Sequence, residues 1–146
     1  MIGEEYMENL ELIMTIHVKT EEAITLQSNI GDSVVMIPFT GHATGSLFQG
    51  EIQKGGVDTQ IISQDRKKHS LSARYMIVGK DYVGQDCTIY IENNGNIYEP
   101  NNKYLFRTYP QIITSSPTLK YIESEILVAE GTADVNGVII NIYVVN

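Results

Sequence analysis

The chain contains one cysteine, Cys87, so no internal disulfide can form, and this favours a reducing cytoplasm as its compartment. No apolar run approaches the roughly 20 residues a membrane-spanning helix needs. Cations are scarce. Lys and Arg total 10 against 18 for Asp and Glu, a net charge of −8, and a field of that sign repels phosphate backbones and anionic headgroups. Neither nucleic acid nor a membrane surface is expected as a partner. Residues 1–9 carry Glu4, Glu5 and Glu8 where a secretory signal would need basic residues and an apolar run, so this stretch reads as a loosely ordered N-terminal segment with no targeting role. The three histidines, His17, His42 and His69, lie in separate segments without ligand spacing. No metal is expected. The GxSxG elbow, the GxxxxGK[ST] phosphate loop and a GxGxxG opening a helix are also missing, and no cofactor is implied.

What is present is a two-residue period. Leu10, Leu12, Met14, Ile16 and Val18 alternate with Glu11, Thr15, His17 and Lys19, the pattern of a half-buried strand, with Ile13 out of phase. Short β-rich segments recur at 24–27, 33–39, 47–53, 57–62, 70–78, 88–92, 103–108 and 125–129. Glycines fall mostly between them; Gly41 to Gly45 reads as a tight corner, and Gly50, inside a segment, as a bulge. Asn136-Gly137 suits a two-residue type I′ hairpin turn. The final segment, 138–145, is apolar on both faces and is expected to be a central strand. About ten strands without a helix favour closure into a barrel. A chain of 146 residues is long enough for one domain with its own core, and residues 1–146 are read as that single domain.

Register arithmetic brings polar residues together. A hairpin tip centred on Arg66 sets Ile61 opposite Leu71 and Asp58 opposite Arg74; a loop centred on Val83 sets Ile77 opposite Ile89, Met76 opposite Tyr90 and Arg74 opposite Glu92. A charged row Asp58, Arg74, Glu92 then crosses three strands, opposite an apolar row of Ile61, Leu71, Ala73, Tyr75, Ile77, Ile89 and Ile91. Inside a cavity such a row would orient an oxyanion and move a proton. On the outside it is an ion-pair ladder worth about 0 to 1 kcal/mol per pair, and pattern alone favours the ladder. His69, beside Lys67 and Lys68, reads as solvated, and Cys87 as a packed side chain.

The run Ile37-Pro38-Phe39-Thr40-Gly41, then Gly45, Gly50, Gly55-Gly56-Val57-Asp58, Ala73-Arg74-Tyr75, Asn93 with Gly95, and Phe106-Arg107-Thr108 before Pro110 resembles the uncharacterised family designated domain of unknown function 3237. The likeness extends over nearly the whole chain. It departs where an aspartate-glycine is spread into Asp81-Tyr82-Val83-Gly84 and where Thr59 stands in place of an aromatic. The resemblance implies an all-β fold, a small closed antiparallel barrel of about eight to ten strands similar in outline to allene oxide cyclase and dirigent barrels, with no assigned activity. It also implies weight for Asp58, Arg74, Asn93 and Arg107.

Three functions follow as expectations. The first is a barrel that binds a small apolar or aromatic molecule, with Tyr90, Glu92, Asn93 and Arg107 contacting it. The second is a cofactor-free isomerase, cyclase or lyase, with Asp58 or Glu92 as base and Arg74 or Arg107 as oxyanion partner, Asp58 and Arg74 being the first choice. The third is a structural or interaction module that forms a homo-oligomer; it predicts a filled barrel.

Overall fold

A computed structural model describes residues 9–97 and 105–146. The strands are β1 (Leu10–Thr20), β2 (Ile24–Leu26), β3 (Ser33–Thr44), β4 (Phe48–Ile52), β5 (Val57–Ile62), β6 (His69–Asp81), β7 (Asp86–Ile97), β8 (Phe106–Thr108), β9 (Gln111–Thr114), β10 (Leu127–Asp134) and β11 (Gly137–Val145). Eight of them close an antiparallel ring in the order β1, β3, β5, β6, β7, β8, β10, β11 and back to β1. The other three stand outside the ring path: β2 on β3, β4 between β3 and β6, and β9 on β7. The expected closed barrel is therefore the observed fold. The expected loose segment at 1–9 lies, Asn9 apart, outside the described residues, as do Lys103 and Tyr104 of the expected strand 103–108.

The core is the inside of the ring, filled by alternate residues of each strand, among them Ile16, Ile77, Ile89, Ile91 and Ile142. The phase error at Ile13 has a cause. The pairing of β1 with β11 shifts between Leu12 and Met14, and this irregularity turns Ile13 and Met14 both inward while leaving Leu12 exposed. A short 3-10 helix, Lys120–Ser124, packs near β9, and with the residue before it adds Leu119 and Ile122 to the buried core. Neither this helix nor β9 was expected. Both are only four or five residues long, too short for a period to register, and Pro110 and Pro117 break the sequence around β9.

Three turn expectations need correction. Gly41 is no corner: β3 runs through it to Thr44, and glycine is required because φ is 141° and a β-carbon would collide with the carbonyl oxygen of His17. Gly50 pairs in register with Gly79 and marks no bulge. The last hairpin exists, but Asp134 pairs with Gly137, so its two loop residues are Val135 and Asn136. Neither has positive φ, which excludes a type I′ turn. Gly137 is needed instead for close approach, since a β-carbon there would strike the carbonyl oxygen of Val18. Strand β11 is central, between β1 and β10, as expected. Its inner face (Ile140, Ile142, Val144) is buried and its outer face only half-covered.

Candidate functional site

The hairpin between β5 and β6 decides which residues share the interior. Its loop is Ser63 to Lys68, closed by hydrogen bonds from Ser63 N to Lys68 O (2.9 Å) and Arg66 N to Ser63 O (2.9 Å), with Arg66 in the left-handed region at φ 61°. Six residues make an even loop, so its centre falls between Asp65 and Arg66 and not on Arg66. Every pair slips by one: Asp58 faces Ala73, Val57 faces Arg74, and Ile61 faces Ser70. A one-residue slip reverses faces. The row Asp58, Arg74, Glu92 is thus corrected: Asp58 points into the barrel, Arg74 and Glu92 point out, and Ile61 leaves the inner apolar row for the surface. The next hairpin keeps the expected register, with Ile77 opposite Ile89, Met76 opposite Tyr90 and Arg74 opposite Glu92.

Inside, the row that contains Asp58 continues through Ala73 to Asn93. Asn93 is buried and accepts a hydrogen bond from Thr108 Oγ1 at 3.0 Å. Asp58 and Asn93 border one partly enclosed cavity of about 50 Å3, whose other walls include Ile37, Phe39, Tyr75 and Val138. Tyr75, read from the sequence as an apolar core residue, is one of the residues that line this cavity; its ring is fixed edge-on by Phe39 at 5.1 Å between centroids. Asp58 Oδ1 and the Tyr75 hydroxyl are buried and make no hydrogen bond among the described residues. Burial raises the Asp58 carboxyl above its ordinary pKa, and a hydrogen bond from Gln60 and the nearby charge of His69 oppose that rise. Burial likewise pushes the Tyr75 phenol up, so it stays a hydrogen-bond donor at neutral pH.

The second oxygen of Asp58 is held. Gln60 Nε2 donates to Oδ2 at 2.8 Å, and Gln60 Oε1 lies 2.7 Å from His69 Nε2. An ionised carboxylate only accepts, so the amide must turn its NH2 to Asp58 and its oxygen to the ring, and His69 donates through Nε2. His69 is therefore half-buried and bonded, not solvated; burial lowers its pKa and Asp58 opposes that shift. Sequence reasoning missed Tyr75, Gln60 and His69 as a set. The available signal was Tyr75 itself, a hydroxyl in an otherwise aliphatic inward row.

The remaining candidates face outward. Glu92 accepts from Tyr90 Oη at 2.9 Å and Asn94 Nδ2 at 3.1 Å and lies 3.6 Å from Arg74 Nε, whose side chain is 63% exposed. These contacts hold the Glu92 carboxyl below its usual range, the Asn94 bond most of all. Arg107 is half-buried on the outer face between Asn96 and Glu130, and its Nη2 meets Glu130 Oε2 at 3.1 Å. His17 and His42, far apart in sequence, stack across β1 and β3 at 4.5 Å, with His17 Nε2 bonded to Thr44 Oγ1. Cys87 is buried, and burial pushes its thiol up. Among the described residues no helix is long and apolar enough to cross a membrane.

Residues 8–145 match the family of proteins of unknown function DUF3237, and the chain belongs to it. An UPF0311 protein from Clostridium acetobutylicum is 31% identical, with 92% of each chain covered. The crystal structure of a protein of unknown function from the same organism superimposes with a TM-score of 0.79 at 32% identity, covering 94% of this chain and 99% of that one. A β-barrel-like protein from Acinetobacter baumannii gives a TM-score of 0.71 at 21% identity over 94% and 95% of the two chains, a likeness of fold.

Proposed function

From membership of this family and the geometry of its barrel, we propose that the protein binds a small uncharged molecule in the barrel interior, an apolar body carrying one carbonyl or hydroxyl group. The observation that carries this reading is the pair of buried, unpartnered polar atoms, Asp58 Oδ1 and the Tyr75 hydroxyl, on two residues that line one mainly apolar cavity. Leaving such atoms unsatisfied costs about 1 to 3 kcal/mol each, so a ligand that meets them recovers free energy the empty barrel forgoes. A purely structural barrel gains nothing from keeping them. At about 50 Å3 the cavity suits a few water molecules or a compound of about four to six non-hydrogen atoms, since one water needs about 10 to 15 Å3 on this measure. A larger molecule would reach in with its polar end only.

The test is thermal denaturation of the protein with a graded series of short ketones and alcohols. A ligand at 100 times its dissociation constant adds about 2.7 kcal/mol to stability. Stabilisation by butan-2-one or propan-2-ol that weakens in Tyr75→Phe is the expected result. A series that leaves every melt unchanged means that no such molecule reaches the two polar atoms, and the reading is lost.

A further inference from the structure

We propose that the cavity catalyses a 1,3-proton shift in a small carbonyl compound, with Asp58 as the base and Tyr75 as the hydrogen-bond donor to the enolate oxygen. This rests on the binding reading above and adds to it a reaction and a substrate class. The two free atoms differ in kind: a carboxylate oxygen that accepts, and a hydroxyl that donates. A ketone or aldehyde is their complement, because its oxygen only accepts and the C–H beside its carbonyl is the weak acid. A carboxylate ligand would meet the charge of Asp58, and an alcohol offers no acidic C–H.

The step balances without a cofactor. Asp58 Oδ1 takes the proton from the carbon next to the carbonyl; the C–H pair becomes the C=C of an enolate, and the C=O π pair moves to oxygen, where the Tyr75 O–H meets the charge. In a β,γ-unsaturated ketone the enolate is a dienolate. Asp58 returns the same proton to the γ carbon, the oxygen charge collapses back to C=O, and the conjugated isomer leaves. Burial serves both groups, since a desolvated carboxylate is a stronger base and a donor in an apolar wall stabilises an oxyanion more than water does. Gln60 and His69 act as positioning residues: by holding Oδ2 they leave Oδ1 as the oxygen without a hydrogen bond, on a side chain that lines the cavity.

The experiment follows conversion of pent-4-en-2-one to pent-3-en-2-one by ultraviolet absorbance, with binding of butan-2-one measured by NMR on the same samples. The wild type is expected to exceed the buffer rate at least 100-fold, the lower range for a positioned base. Asp58→Asn should fall to the buffer rate while still binding butan-2-one, and Tyr75→Phe should lose at least tenfold. His69→Gln should lower kcat more than it changes KM. Melts of each variant report whether it is folded; if Asp58→Asn is not, Asp58→Glu, which keeps the base but displaces it, must lose most of the rate. Binding without isomerisation in the wild type overturns this inference and leaves the binding reading intact. Absence of binding overturns both, and a rate unchanged in Asp58→Asn overturns the assignment of the base.

Discussion

Asp58 is a carboxylate among Ile37, Leu71, Ala73 and Val138, and its ionised form is opposed by that setting more than Gln60 and His69 favour it. The consequence for stability has a definite sign. Because the folded-state pKa is raised above the ordinary value of 3.8, the folded protein holds this proton more tightly than the unfolded chain does. The associated stability is complete below the unfolded pKa and is lost as pH rises through the folded one. Asp58→Asn, which keeps the shape and removes the charge, is therefore expected to be more stable than the wild type at pH 8, by about 1 kcal/mol on the scale of one imperfectly satisfied buried group, with the gap closing near pH 3.5. Urea denaturation of both proteins across that range checks it. A gap that widens toward acid would mean the carboxylate form is the favoured one. A gain in stability on removing a polar group is the usual mark of a residue kept for function.

At the scale of elements, β11 joins β1 to β10 and so closes the ring, and its inner residues Ile140, Ile142 and Val144 belong to the core. A chain ending at Asn136 leaves β1 and β10 with open edges and an uncovered apolar face, so it is expected to be insoluble or to melt without cooperativity. A soluble product with a melt near the full-length value would contradict this. The centrality of that strand was legible because Val and Ile occupy both of its phases, and the hairpin of β6 and β7 was legible because Ile77 and Ile89 fix its phase from both sides. The hairpin of β5 and β6 was not. Whether its loop holds five residues or six depends on Ser63 and Lys68 pairing and on Arg66 adopting a left-handed conformation. Arg66 gives no signal for that, unlike Gly or Asn. One residue of parity carried Arg74 outside and left Asp58 within, which is why the charged row read from the sequence joins two residues that the structure places on opposite faces. Tyr75 was hidden by its own ring, since its spacing marks it as core and says nothing of where the hydroxyl finds itself.

At the scale of the whole molecule, the barrel is a rigid wall around a space that is small for a ligand and large for a packing defect. Its size can be changed from one position. Ala73 lies between Asp58 and Asn93 on the inner face and borders the cavity. Ala73→Val places two more methyl groups in that space. Burying them stabilises by about 0.8 kcal/mol per carbon, against an overpacking cost of about 1 to 3 kcal/mol if the wall cannot accept them. With about 50 Å3 free beside the residue, the favourable term is expected to win or to balance. The same substitution takes up part of the cavity that Asp58 and Ala73 both line, so binding of butan-2-one should weaken at least tenfold in a protein that melts at or above the wild-type temperature. The two readouts must part company. If Ala73→Val binds the ketone as the wild type does, the ligand sits elsewhere on the barrel. If it is destabilised by several kcal/mol, the space beside Ala73 is already filled, and the interior is a core with two awkward polar atoms in it.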